Sequence, residues 1–199
     1  MPLPKGANPN HPPRGSTIMV EPIRNKRAIS NIKKLLSDQP RNLALFTVGI
    51  NTAYRASDLL TLTVGQVRGL QAGDVLRVKQ PKTAKYRSVT VNNVVAETIA
   101  AYLTQGQRNN DDEPLFMGRG GALRVPSITN LVKGWCRDAG LKGNYGSHTL
   151  RKTWGYWQRD RGTAIPILME AFGHGSQQQT MQYLGIQADE IAQIYTMEL

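Results

Sequence analysis

The 199-residue chain has one cysteine, Cys136. A lone thiol excludes an intramolecular disulfide framework and any cysteine-cluster zinc site. It fits a reducing, cytosolic setting. No apolar run approaches the roughly 20 residues that a bilayer-spanning helix needs. The N-terminal MPLPKGANPNHPPRGST also lacks the apolar stretch of a secretory signal. Both absences argue against a secreted or integral membrane protein. Acidic clusters are equally scarce, Asp111-Asp112-Glu113 being the only one, in a turn-rich loop ahead of Pro114. A two-metal hydrolase needs carboxylates around its reacting groups, so that class is disfavoured and the cluster reads as a solvated loop.

Negative charge is nearly missing from the first ninety residues. They carry 15 Lys and Arg against 4 Asp and Glu, whereas residues 91–199 carry 10 of each, so the whole net charge of +11 lies in the first part. A basic half joined to a neutral half suggests a face for a polyanion. Nucleic acid leads, because neutralised phosphates release counterions and drive binding. No basic stretch has the clean amphipathic period of a membrane-surface helix.

Residues 1–23 read as a basic, proline-rich tail, with Pro2, Pro4, Pro9, Pro12 and Pro13. Residues 24–199 read as one domain. Ile29, Ile32 and Leu35–Leu36 recur at helical spacing from about Arg24, and Leu43–Ile50 follows Pro40 as a buried helix. A short helix is expected over Ala56–Leu62. Val75–Lys79 and Arg87–Val91 alternate like strands, joined by the polar, basic QPKTAKYR hairpin segment. Further helices are expected over Asn93–Leu103, Ser127–Ala139 with Ser127 as N-cap, His148–Gly162 after Ser147, Ala164–Phe172, Ser176–Tyr183 and Gln187–Met197. The fold class is mainly α with a small antiparallel β-sheet.

His148 and Arg151 are three apart on one expected helix, roughly 60° apart at 100° per residue, and so share a face. Leu150, Trp154 and Trp157 gather on the other side. Gly155 falls on the face of His148 and Arg151, where a glycine costs about 1 kcal/mol relative to alanine. That cost makes sense if something bulky, such as a phosphate backbone, approaches there.

SHTLRKT resembles the H-x-L-R box of the tyrosine recombinases, the phage integrase family. TAYRASDLLTLT resembles the segment with the first family arginine, giving Arg55 and its acidic neighbour Asp58. PKTAKYRSV resembles the hairpin with the family lysine, pointing to Lys82, although Lys79 and Lys85 flank it. FGHGSQQQTMQYLGI resembles the box with the last histidine and the nucleophile, giving His174 and Tyr183. The motifs stand in the family's order over about Arg24 to Leu199.

The resemblance implies a site-specific DNA recombinase or integrase fold and activity. Tyr183 would open a strand to a 3′-phosphotyrosyl ester and a free 5′ hydroxyl, with no cofactor, no metal and no ATP. Elementary chemistry agrees. A phenol of pKa near 10 is only about one part in a thousand ionised at neutral pH, and adjacent cations favour the attacking form. Arg55 and Arg151 would grip the non-bridging oxygens, His148 and His174 would donate hydrogen bonds or move protons, Lys82 would protonate the leaving oxygen, and Asp58 would orient Arg55. Arg24, Lys26, Arg27, Lys79, Lys85, Arg87 and Lys152 are expected to contact DNA.

Only some 20 residues precede the first helix, too few for the helical DNA-binding domain that most family members place there. The layout is similar to that of the small fimbrial-switch invertases. Double-stranded DNA is the expected partner, with a homo-oligomer (dimer or tetramer) on it and accessory DNA-binding proteins beside it, in the cytoplasm at the nucleoid. Ile191, Ile194 and Met197 beyond Tyr183 would pack either on a neighbouring protomer or on their own domain. Two other readings stay open: a non-catalytic DNA-binding regulator on the same fold, and a strand-nicking topoisomerase.

Overall fold

The computed structural model describes residues 19–79, 86–186 and 196. Asn25 caps the first helix, its Oδ1 accepting from the amides of Arg27 (2.8 Å) and Ala28 (3.3 Å). That helix, α1 (Lys26–Leu35), buries Ala28 and Ile32 and ends on the buried Leu36. Pro40, needing no amide partner in a first turn, opens α2 (Pro40–Asn51). This helix is covered nearly all round, with Ala44, Leu45, Phe46 and Val48 inaccessible. It is the axle of the domain.

After α2 the chain makes two one-turn helices, α3 (Ala56–Leu59) and α4 (Val64–Val67). The single helix expected over Ala56–Leu62 is therefore shorter, and α4, capped by Thr63, is an element the periodicity did not separate. The strands β1 (Val75–Lys79) and β2 (Tyr86–Thr90) pair antiparallel, with Val75 opposite Thr90 and Lys79 opposite Tyr86. Leu76 and Val78 face the core. Asn92 caps α5 (Asn93–Gln105), which packs along α2. A two-residue-per-strand hairpin, β3 (Met117–Gly118) and β4 (Gly121–Ala122), precedes α6 (Val125–Asp138). That helix begins two residues before the expected Ser127 cap, because Pro126 already supplies the first turn.

The last three described helices are α7 (Ser147–Asp160), α8 (Ile165–Phe172) and α9 (Gln177–Leu184). Ser147 is helical, and the start of α7 is fixed instead by Thr149 Oγ1, which accepts from the Gly146 amide at 3.0 Å. Ser176 Oγ caps α9 by accepting from Gln179 N at 3.1 Å. The helix expected over Gln187–Met197, with Ile191, Ile194 and Met197, lies outside the described residues except for Thr196, which stands in a turn.

Two apolar clusters hold these elements. The larger joins α1, α2, α5, α6 and the inner side of α7 with the sheet, and Trp135 meets Phe46 edge-on at 5.8 Å. Gly49 lets α7 approach α2, since a Cβ there would lie 2.6 Å from Leu150 Cδ1. The smaller cluster gathers Ala53, Leu168, Phe172 and Leu184, with Trp154 and Tyr183 against it. It seats α8 and α9 on α7.

Part of the tail is tied down. Ile23 is inaccessible, its amide donates to Thr153 Oγ1 at 2.8 Å, and its carbonyl accepts from Trp157 Nε1 at 3.0 Å. Residues 19–23 therefore run as a strap along α7, to which the Glu21 amide adds a bond to Asn144 O at 2.8 Å. Nothing in the local pattern marks Ile23, which follows Glu21-Pro22 and precedes Arg24-Asn25 without a helical or alternating period. No helix of the described residues is long and apolar enough to cross a membrane.

Candidate active site

The site lies where the end of α2, the start of α7 and the α8–α9 turn converge. Arg151, 2 % exposed, sits at its centre. Its guanidinium donates to the carbonyls of Ala53 and Phe172. It also lies 4.8 Å from the Phe172 ring centroid and 5.9 Å from that of Tyr183. A buried cation stripped of water is costly unless donors find partners, and these two carbonyls supply them. Burial pushes its pKa down to about 9, Tyr183 and Asp58 opposing the shift and Arg87 and Arg55 adding to it. It remains a cation at neutral pH.

Arg55 is the N-cap of α3, two residues after a left-handed residue, Ala53 (φ 54°). Asp58, 1 % exposed, accepts from the Arg55 amide at 3.0 Å, so it fixes the turn through the backbone. The charge of Arg55 is felt at His148, His174, Arg87, Arg151 and Tyr183. The two motif arginines, nearly a hundred residues apart in sequence, thus face one locus.

His174 follows Gly173, whose left-handed backbone (φ 60°) ends α8 and turns the chain back. Its ring stacks on Phe172 (centroids 5.0 Å, planes 19° apart), and Nδ1 lies 3.0 Å from Thr180 Oγ1. Burial first, then Arg151, Arg55 and Arg87, push its pKa down to about 4. His148, at the start of α7, is exposed along one edge; partial burial, then Arg151, Arg55 and Lys152, lower its pKa as well. Both imidazoles are neutral at physiological pH.

Tyr183 on α9 is packed among these groups. Its ring centroid lies 5.1 Å from His174, 5.2 Å from Phe172 and 6.4 Å from His148. Its hydroxyl is buried and meets no hydrogen-bond partner among the described residues. Burial raises its pKa, with Arg151 the strongest opposing influence, followed by Arg55 and Arg87. The site holds a protonated phenol amid cations, a place where an anion would be stabilised.

The other expected site residues divide. Lys82 and Lys85 lie outside the described residues. Lys79 is exposed at the end of β1, and Arg24, Lys26 and Arg27 are exposed on the strap and α1. Arg24 lies 5.6 Å from the Tyr156 ring and Lys26 5.0 Å from the Trp157 ring, so each also covers an aromatic of α7. Lys152 is 7 % exposed, with Nζ 5.1 Å from the Tyr183 ring centroid, inside the site and not on an outer face. Arg87 is half-buried and turned inward, donating to the carbonyls of Phe172 (2.6 Å), Ala171 (3.0 Å) and Ala53 (3.4 Å).

Gly155 has a different purpose from the one its helical face suggests. A Cβ there would lie 2.4 Å from Phe172 Cζ and 2.8 Å from Leu184 Cδ2. It makes room for α8 and α9, which cover that side of α7. Asp111 pairs with Arg68 at the end of α4 and Glu113 with Arg108, each at 2.7 Å, so the first acid ties the loop to α4 and the second braces it from within. Sequence reasoning passed over Thr180, Phe172 and Ala53. The signal for Thr180 was present, since it stands one turn before Leu184 on a capped helix.

Mostly helical, with small antiparallel sheets and this cationic tyrosine site, the domain has the fold of tyrosine recombinase catalytic domains. The crystal structure of XerA recombinase superposes with a TM-score of 0.73 at 20% identity, over 88% of this chain and 65% of that one. XerH bound to palindromic difH substrate in a post-cleavage complex gives 0.69 at 20% identity, over 90% and 54%. The family model "Phage integrase family" matches residues 24–190, and the chain belongs to that family. A relative from Bacillus subtilis (strain 168), described as "Probable integrase/recombinase YoeC", is 32% identical over 89% of this chain and 96% of its own length. The chain spans about half the length of the XerD and XerC relatives it matches.

Proposed function

We propose that this chain cleaves and rejoins double-stranded DNA at specific sites, through a covalent 3′-phosphotyrosyl bond to Tyr183. The observation that carries this reading is the buried Tyr183 hydroxyl, without a hydrogen-bond partner among the described residues, placed beside Arg151 and between two neutral histidines. The charges of Arg55 and Arg151 both act on Tyr183, and a phosphodiester beside it would draw them.

In the forward step Tyr183 Oη bonds to phosphorus while the bond from phosphorus to the 5′ oxygen breaks. The phenol proton passes to a base, for which a neutral His148 or His174 is suited. The leaving 5′ oxygen takes up a proton, for which the motif lysine Lys82 is the candidate donor. In the reverse step a 5′ hydroxyl, from the same strand or another, attacks phosphorus and the phenol leaves. The ester retains the bond energy, so resealing needs no external energy source. The members of the site act on one phosphate of a duplex whose other phosphates are held by Arg24, Lys26, Arg27 and Lys79 on the outer surface. The same chemistry on two duplexes requires several copies of the chain, as a dimer or tetramer, within the cell where DNA lies.

The test is strand transfer between two labelled duplexes carrying candidate recombination sites. The unmutated chain is expected to give exchanged strands, and Tyr183→Phe to give none while still retarding DNA in a gel. Equal exchange by both chains would overturn the reading.

A further inference from the structure

Arg87 stands on β2, on the same side of the strand as Val89, and its side chain runs under the site to the far end of α8. The last carbonyls of a helix have no intrahelical donor, and the negative end of the helix dipole favours a cation there. At α8 those carbonyls are Ala171 and Phe172, and Arg87 takes both, at 3.0 and 2.6 Å. The same guanidinium reaches Ala53 O at 3.4 Å, in the turn that leads to Arg55. Arg151 donates to two of these three carbonyls from the opposite side. Gly173 gives Arg87 its place, because a Cβ at that position would lie 2.7 Å from Nη2. From the strand side, Tyr54 fastens the same turn to β1, its hydroxyl donating to Leu76 O at 2.8 Å.

We propose that Arg87 is a positioning residue for strand cleavage: it ties the β1–β2 hairpin to the turns bearing Arg55 and His174, and does not contact DNA. The inference rests on the proposed strand-cleavage reading and adds to it. Three backbone carbonyls engage most of its donors, so little of the fork is left for a phosphate. Removing it would release the α8 end from the hairpin and let His174 and Arg55 drift from the phosphate. A displacement of about 1 Å at a reacting centre can cost on the order of 100-fold in rate.

The experiment measures single-turnover formation of the covalent adduct on a nicked suicide duplex, alongside DNA affinity at fixed salt. Arg87→Met is expected to slow adduct formation about 100-fold while affinity stays within about threefold, since phosphate contacts are what affinity follows. Arg87→Lys keeps the charge but cannot span three carbonyls, so it is expected to fall between the two. Guanidinium ion added to Arg87→Ala is expected to restore part of the rate, which methylammonium would not. Affinity falling in step with cleavage would make Arg87 a phosphate contact and overturn the proposal; so would Arg87→Met cleaving at the unmutated rate. If Arg87→Met does not fold, Arg87→Lys decides alone: unchanged cleavage overturns the proposal, and slowed cleavage at unchanged affinity supports it. Absence of any adduct from the unmutated chain would instead sink the strand-cleavage reading itself, and this proposal with it.

Discussion

Arg151 both fills a structural role and faces the reacting centre. Its two carbonyl partners, Ala53 and Phe172, belong to different turns, and truncation would leave them only the Arg87 guanidinium, at 3.4 and 2.6 Å. Each hydrogen bond lost to a charged donor costs about 1.5–3 kcal/mol, less where a second donor remains. Arg151→Ala is therefore expected to lower unfolding free energy by about 2–5 kcal/mol and to remove cleavage, which urea titration and adduct formation check separately. A stability change within about 0.5 kcal/mol, the range of an ordinary surface substitution, would contradict the first part. The histidines give a second residue-scale test. His174 titrates near 4 in the folded chain against an ordinary 6.5. Between those values the unfolded chain binds a proton that the folded chain does not, so stability is lost as pH falls through that window and levels off below it. At neutral pH the shift contributes nothing. His148 carries a shift of the same sign. Melting temperature is expected to fall from pH 6.5 toward 4, and less steeply in His174→Gln. Identical slopes in the two chains would contradict the burial of that ring among cations.

At the scale of elements, the site depends on how closely α8 and α9 lie on α7. Gly155 sets that distance, and a methyl there would collide with Phe172 and Leu184. Gly155→Ala is expected to destabilise the fold by about 1–3 kcal/mol despite its higher helix propensity. Because α9 carries Tyr183, cleavage should fall further than affinity. A stabilised Gly155→Ala with unchanged cleavage would show that the helices reseat freely. These packings mark the limit of what the sequence reveals. Periodicity was enough to find α2, α5, the β1–β2 pair and α9, because apolar spacing is a local signal. They did not reveal that α7 is covered on both sides, since the covering helices come later in the chain. For that reason Arg151 and Gly155 read as an open face. The inward turn of Arg87 went unread for a related reason. Alternation put it on the side of Val89 and Val91, but its charge outweighed the parity in the reading.

For the molecule as a whole, the charge asymmetry along the chain does not survive folding as two separate halves. Arg55 and Arg87 from the basic portion meet Arg151 and Lys152 from the neutral one in a single locus. Order of motifs, more than composition, made the candidate site legible: Arg55, His148, Arg151, His174 and Tyr183 were read from boxes, and all five lie around that locus. The strap at residues 19–23 was not legible, because its anchoring partners Thr153 and Trp157 lie some 130 residues away. The central claim, that a tyrosine set among these cations opens a DNA strand unaided, is tested most directly by chemical mapping of the adduct. The chain is incubated with a suicide duplex in excess EDTA without nucleotide, digested, and the DNA-linked peptide sequenced by mass spectrometry. The phosphate is expected on Tyr183; a bond to any other residue, or none until a metal ion is added, would contradict the claim.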